Sequence, residues 1–239
     1  MGLAATSGML SLPLACAARQ DCTRWAFLSD THIHRDPQYR FRSFCTYENL
    51  QRVVDDIGEE IPEGLVITGD LARSRGSADA YENFKSLLAP IAKKRPIHLC
   101  IGNHDHREDF RTAFTGPAHG GAIENRHIVT AMAGPIRMIV LDTLLVVNTF
   151  PGMLGKLQRI WLETYLAASD ETPTILFCHH APRADLLDTR RLFEIISPVR
   201  KVKALVFGHS HRYEFSQRDG IHLVNLPATG YNFTAGQPV

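Results

Sequence analysis

Short apolar runs punctuate this chain, and each stops abruptly in polar residues. Six of them, in RWAFLSD, GLVITGD, IHLCIGN, RMIVLDT, TILFCHH and ALVFGHS, read as strands of the buried type. Between the runs the apolar residues change to a helical period. Leu50, Val53, Val54 and Ile57 follow the i, i+3, i+4, i+7 spacing of one helix face. Leu157, Trp161 and Tyr165 recur every four residues, with Leu154 and Leu162 widening the face. Residues 77–90 and 185–196 are weaker helix candidates. Strands alternating with helices predict an α/β architecture with much parallel pairing. With no internal repeat and no low-complexity linker, residues 23–239 read as one domain and residues 1–22 as a separate N-terminal segment.

The strand endings carry the chemistry. The runs stop in Asp30 with His32, in Asp70, in Asn103 with His104, in His179, and in His209 with His211; the remaining run stops in Asp142. Sheets of this class bind ligands beyond the carboxyl ends of their strands, so these groups can converge although they lie far apart in sequence. Gly69, Gly102 and Gly208 precede three of the endings and permit the sharp turns that aim a side chain back over the sheet edge. One strand-end His or one Gly-Asp is a weak signal. Five such endings in one chain are a strong one.

Composition narrows the classes without naming one. The 239 residues are 44% apolar and 21% charged, with a formal net charge of +1, an ordinary globular balance. Without a block of like charge there is no electrostatic case for a nucleic acid or an acidic membrane as partner. The five cysteines (Cys16, Cys22, Cys45, Cys100, Cys178) form no C-x-x-C, which argues against a zinc knuckle or a disulfide framework. Cys100 and Cys178 end apolar runs and read as buried thiols. The stretch GLAATSGMLSLPLACAARQ resembles the apolar core of a secretory signal, with an A-x-A site at Ala15-Cys16-Ala17 but no basic residues before it. A periplasmic or secreted location is the expectation, and a cytoplasmic tail the alternative. No later stretch approaches the 18 or so uninterrupted apolar residues of a membrane span.

Asp30, His32, Asp70, Asn103, His179, His209 and His211 together offer carboxylate, imidazole and amide donors. That mixture suits first-row divalent ions such as Mn, Fe and Zn. Seven donors exceed one tetrahedral site and suit two metals sharing a carboxylate. Two ions about 3.5–4 Å apart would clamp the attacking and leaving oxygens of a displacement at phosphorus.

The motifs Asp30-Thr31-His32, Gly69-Asp70, Gly102-Asn103-His104-Asp105, the strand-end His179 and Gly208-His209-Ser210-His211 resemble the calcineurin-like metallophosphoesterases. Local texture (GNHDHREDF, VITGDLARSRGSADAYENFKSLL, and the series LDT, WLETYLA, PTILFCHHAP) is similar to the class III cyclic-nucleotide phosphodiesterase-like branch. The resemblance covers residues 24 to about 230. It implies a four-layer α-β-β-α sandwich. It also implies a dinuclear centre in which Asp30, His32 and His211 hold the first metal, Asp70 bridges, and Asn103, His179 and His209 complete the second. A metal-bridging hydroxide would be the nucleophile, with His104 as acid or leaving-group stabiliser and Asp105 fixing its orientation. The implied partner is a small phosphodiester, such as a cyclic nucleotide, or a phosphomonoester, and a dimer is compatible with the resemblance.

Some positions depart from the pattern or stay open. His34 enriches the first motif, and His180 beside His179 allows a one-residue alternative. His106 reads as a solvated loop histidine and Arg107 as a surface charge at a helix start. The stretch HRDPQYRFRSF reads as an exposed loop, or as a substrate-facing one with Arg35, Arg40 or Arg42 meeting phosphate. The end at Val239, soon after NLPATGYNF, leaves further C-terminal strands of the family unaccounted for. Amidohydrolase-like barrels share the DTHIH opening, but about 215 residues are few for eight βα units. The metallo-β-lactamase pattern needs a ligand His where Pro37 stands. A catalytically silent scaffold on the same fold is the contrasting reading; such a protein would be expected to have lost ligands, and here every one is present.

Overall fold

A computed structural model describes residues 23–114, 123–183 and 185–233. The N-terminal segment, with Cys16, Cys22 and the A-x-A site, lies outside the described residues. Along the chain run β1 (Trp25–Leu28), β2 (Arg40–Phe41), β3 (Phe44–Cys45), α1 (Thr46–Glu59), β4 (Gly64–Ile67) and α2 (Ala78–Ala92). There follow β5 (Ile97–Leu99), α3 (Arg107–Phe114), β6 (Val129–Ala133), β7 (Ile136–Val140), α4 (Lys156–Ala168) and β8 (Thr174–Phe177). The last elements are α5 (Thr189–Ile196), β9 (Val202–Phe207), β10 (Glu214–Arg218) and β11 (Ile221–Asn225).

The six apolar runs become β1, β4, β5, β7, β8 and β9, in two sheets. One sheet has the order β1-β4-β5, all parallel. The other has the order β10-β11-β9-β8-β7-β6, parallel through its four central strands and antiparallel at both edges. Both edges are hairpins. That of β10 and β11 turns on Asp219 and Gly220, both at positive φ (53° and 80°), the geometry a tight two-residue connection requires.

Three apolar layers hold these pieces together. Leu50, Val54, Tyr81, Phe84 and Phe110 of α1, α2 and α3 pack on Leu65 and Ile67 of the three-stranded sheet. Val66, Met138, Val140, Phe177 and Val206 fill the space between the sheets, where Phe27 meets Phe177 edge-on at 5.1 Å. Leu162, Leu166, Leu192 and Phe193 of α4 and α5 cover Ile139, Leu176 and Leu205 on the far face. The result is helices, sheet, sheet, helices: the expected four layers. Alternate residues of β4 face different layers, Leu65 and Ile67 outward and Val66 inward, which is why that strand is apolar throughout.

Helix α4 corrects the predicted face. Leu157 is 67% exposed, and the buried positions are Gln158, Leu162 and Leu166. Leu154 is buried but precedes the helix. Gln158 is buried because its amide spans the backbone N–H and C=O of Asp142 (2.9 and 2.7 Å). Hydrogen bonding to the loop therefore brings Gln158 into the buried line in place of Leu157, while Trp161 and Tyr165 of the predicted face stay partly buried against the core and Leu162 is fully buried. No helix among the described residues is long and apolar enough to cross a membrane. Cys45, Cys100 and Cys178 are buried free thiols.

Candidate metal centre

The loops after β1, β4, β5, β8 and β9 leave their sheets at the same end and bring the polar strand endings together. Asp30, His32, Asp70, His209 and His211 all hold left-handed backbone, with φ between 47° and 71°. Among residues with a side chain, Asp and His are two of the few that enter this region with any frequency, and the surrounding contacts hold these turns. Hydrogen bonds do much of this. Asp30 N–H donates to Gly69 O (3.1 Å), His32 N–H to Asp70 O (2.9 Å) and the Thr46 hydroxyl to His32 O (3.0 Å). The glycines leave no room for a side chain. A Cβ on Gly102 would lie 2.1 Å from Asp70 Oδ1, and one on Gly208 would lie 1.8 Å from Ser29 Oγ.

Each donor has one side fastened and one side turned inward. Asp30 Oδ2 accepts from the Ser29 hydroxyl and from His209 N–H (3.0 Å), while its Oδ1 is buried without a hydrogen-bond donor. Asp70 Oδ1 accepts from His104 N–H at 2.8 Å. Its Oδ2 lies 3.6 Å from His32 Nε2 and 3.4 Å from His179 Nε2, between the two halves of the cluster. His179 Nδ1 sits 3.0 Å from Thr68 O and His211 Nδ1 2.7 Å from Tyr231 O, so both rings carry their proton on Nδ1 and turn Nε2 inward.

The inward nitrogen and oxygen atoms crowd together at hydrogen-bond distance, with only ring protons available to separate their lone pairs. His211 Nε2 is 3.1 Å from His32 Nε2 and 3.3 Å from Asp30 Oδ1. His179 Nε2 is 3.2 Å from Asn103 Oδ1 and 3.2 Å from His209 Nδ1. Lone pairs at such distances repel unless positive charge stands between them. Proton affinities show the same demand. Burial alone would lower His179, but Asp70 and Asp30 outweigh it and raise the ring to about 9. His211 is also raised, Asp30 overriding burial. His32 is driven down to about 3 and His209 to about 4, chiefly by burial. The cluster thus calls for positive charge in two places, at His211 with Asp30 and at His179 with Asp70. Donor atoms of Asp30, His32 and His211, and of Asp30, Asp70 and His179, fall within 4.8 Å of one another, so either set could hold an ion.

All seven predicted donors meet in this cluster. His180 borders the cluster as well: its Nδ1 is 2.8 Å from Thr143 Oγ1, its ring is tilted at 48° to that of His209, and one of its ring nitrogens lies within 4.8 Å of donor atoms of His179 and His209. His34 stacks on Tyr39 instead of joining the cluster, and His106 faces Asp109 at 3.1 Å.

Several expected contacts are different in the structure. Asp105 does not orient the His104 ring. It is buried beneath the loop and accepts from the N–H groups of Leu71 (3.2 Å), Ala72 (3.1 Å) and Gly102 (2.9 Å) and from the Tyr81 hydroxyl (3.1 Å). The ring is oriented instead by Asn148 Oδ1 (2.7 Å) and Ser74 O (3.1 Å), both on its Nδ1. Asn148 carries no motif that would have singled it out. Arg107 begins α3 as expected but is no surface charge: its guanidinium makes a bidentate pair with buried Asp142 (2.8 and 2.9 Å). That pairing also takes Asp142 away from the cluster. HRDPQYRFRSF forms the β2–β3 hairpin, where Arg40 pairs with Glu48 at 2.8 Å, turned aside from phosphate duty.

The sequence model of the calcineurin-like phosphoesterase family matches residues 23–213. The chain belongs to the calcineurin-like phosphoesterase family. Members of this family are phosphoester hydrolases that work with two metal ions, and the paired acceptor clusters fit that requirement. Among curated relatives, the 3′,5′-cyclic adenosine monophosphate phosphodiesterase CpdA of Pseudomonas aeruginosa is 29% identical over 87% of this chain and 77% of its own length. A probable cyclic nucleotide phosphodiesterase of Rhodopseudomonas palustris is 32% identical over 79% of this chain and 72% of its own. The crystal structure of a dimetal phosphatase from Danio rerio superposes with a TM-score of 0.69 at 14% identity, over 86% of this chain and 87% of that one, and shares the fold.

Proposed function

We propose that this protein is a dinuclear metal phosphodiesterase acting on small phosphodiesters of the cyclic nucleotide class. The observation that carries the reading is the inward-facing acceptor set, which calls for two cations side by side. Asp30, His32 and His211 would hold one ion, Asn103, His179 and His209 the other, with Asp70 Oδ2 between them. When bound, Mn, Fe or Zn would supply an activated water and positive charge against the phosphoryl oxygens.

The chain's own groups do the rest. The Thr68 hydroxyl donates to Ser29 Oγ (2.6 Å) and Ser29 to Asp30, a relay that keeps the carboxylate ionised and aimed inward. His104 is the proton handler. Two carbonyl oxygens on Nδ1 fix one proton there, so the nitrogen left to exchange a proton with substrate is Nε2. A His104 ring nitrogen is within 4.8 Å of donor atoms of His32 and Asp70, which supports a role for the ring at the leaving oxygen of a bound ester. A silent scaffold is disfavoured because neither His104 nor any of the seven donors is missing.

The test strips the protein of metal and restores Mn, Fe or Zn. Hydrolysis of cyclic AMP, bis-p-nitrophenyl phosphate and p-nitrophenyl phosphate is then compared, with Asp70→Asn as control. Metal-dependent diester cleavage that the variant loses is expected. Preference for the monoester would remove the diesterase assignment, and inactivity without bound metal would leave the scaffold as the better account.

A further inference from the structure

Two large apolar side chains left exposed stand directly on histidines of the cluster. The Phe233 ring is 4.6 Å from the His211 ring, and the Phe150 ring 4.6 Å from the His209 ring; the two side chains are 54% and 63% exposed. Exposed phenylalanine faces are unfavourable in water, and here they sit at the mouth of the phosphoester site.

Cationic support lies on the Phe233 side. The Arg42 guanidinium is 5.2 Å over the Phe233 ring and donates to the Phe233 carbonyl at 3.3 Å. Arg42 and Ser43 form the tip of the β2–β3 hairpin with φ of 50° and 70°, a backbone that non-glycine residues seldom adopt. Beneath them the Arg73 guanidinium lies 4.0 Å over Phe41, whose ring meets Tyr231 edge-on at 4.7 Å. The wall is therefore an aromatic face backed by guanidinium groups, built from three segments, the outer two 191 residues apart in sequence. A phosphoester held at the cluster must pass its organic group outward across such faces. A planar heterocycle gains stacking and cation–π contact there, whereas a bare sugar or alkyl chain does not.

We propose that Phe233, held in place by Arg42, is the stacking wall for a planar heterocyclic group of the substrate, so that the site selects nucleotide esters over sugar phosphates. This rests on the phosphoesterase reading above and assigns specificity residues to it.

Calorimetric titration of the Mn-loaded protein with AMP and with ribose 5-phosphate, which differ by the base alone, tests it. AMP is expected to bind about tenfold more tightly to the unsubstituted protein. Phe233→Ala removes that advantage while leaving metal content and ribose 5-phosphate affinity unchanged, and Phe233→Tyr restores it. Equal affinity for the two ligands, or no measurable affinity for AMP, overturns the proposal. So does equal weakening of both in Phe233→Ala, which would make Phe233 a prop for His211. Binding is read without turnover, so an inactive protein that still prefers AMP would sink the catalytic reading and leave this one standing.

Discussion

Asp142 is fully buried and is shared by Arg107, by Arg126 at 3.7 Å, and by the N–H groups of His127 (3.1 Å) and Leu144 (3.0 Å). Arg107→Ala leaves that carboxylate with one distant guanidinium. Because Arg107 is partly exposed and the amide donors remain, the expected cost is at the low end for a broken buried pair, roughly 3 kcal/mol. Urea unfolding would show it, with metal content little changed. Asn148 differs in consequence, since it touches the His104 ring and no metal ligand atom in the cluster. Asn148→Ala is expected to lower kcat about 10–100-fold, the usual effect of losing a group that orients a functional histidine, with KM nearly constant. A rise in KM with unchanged kcat would show that the amide serves substrate binding instead.

At the level of elements, the site depends on how tightly the loops beyond the strands are folded. Gly208 follows β9 directly and lies against Ser29 and Asp30, which follow β1; a Cβ there would press on Asp30 Oδ2. The two strands lie in different sheets, so this contact joins the layers at the active end. Gly208→Ala pushes Asp30 out of its relay while leaving the hydrophobic layers intact. Elemental analysis is expected to find the folded variant short of one metal, and far-ultraviolet circular dichroism to find its secondary structure unchanged. Retention of both metals would mean that the loop yields without moving the carboxylate. The existence of the main elements was legible in sequence because buried strands and amphipathic helices write their own period. The short strands β2 and β3 were not legible, since two paired residues carry no periodicity. The true face of α4 was hidden for another reason: a buried glutamine looks polar until its backbone partners are known.

For the whole molecule, the two sheets meet at an apolar layer whose active end gathers two buried carboxylates and four histidines at close range. Positive charge at that end therefore favours the folded state. Removing metal with a chelator is expected to lower the melting temperature by several degrees, and Mn, Fe or Zn to restore it. An unchanged melting temperature would mean that protonated His179 and His211 serve the fold equally well.

What the sequence by itself determined was the set of candidate donors and the class of fold. Both are written locally, in a strand followed by a turn and a polar residue, and the same local grammar recurs at Asp30, Asp70, Asn103, His179 and His209. Only the tertiary structure decided which neighbours those residues meet. Asp142 has the same strand-end position as the donors, yet two arginines claim it. Asp105 follows His104 in sequence but serves the backbone beneath, while Asn148, 44 residues away, takes the ring. Such contacts depend on packing between segments distant along the chain, and no spacing of residues in one segment records what another will bring to it.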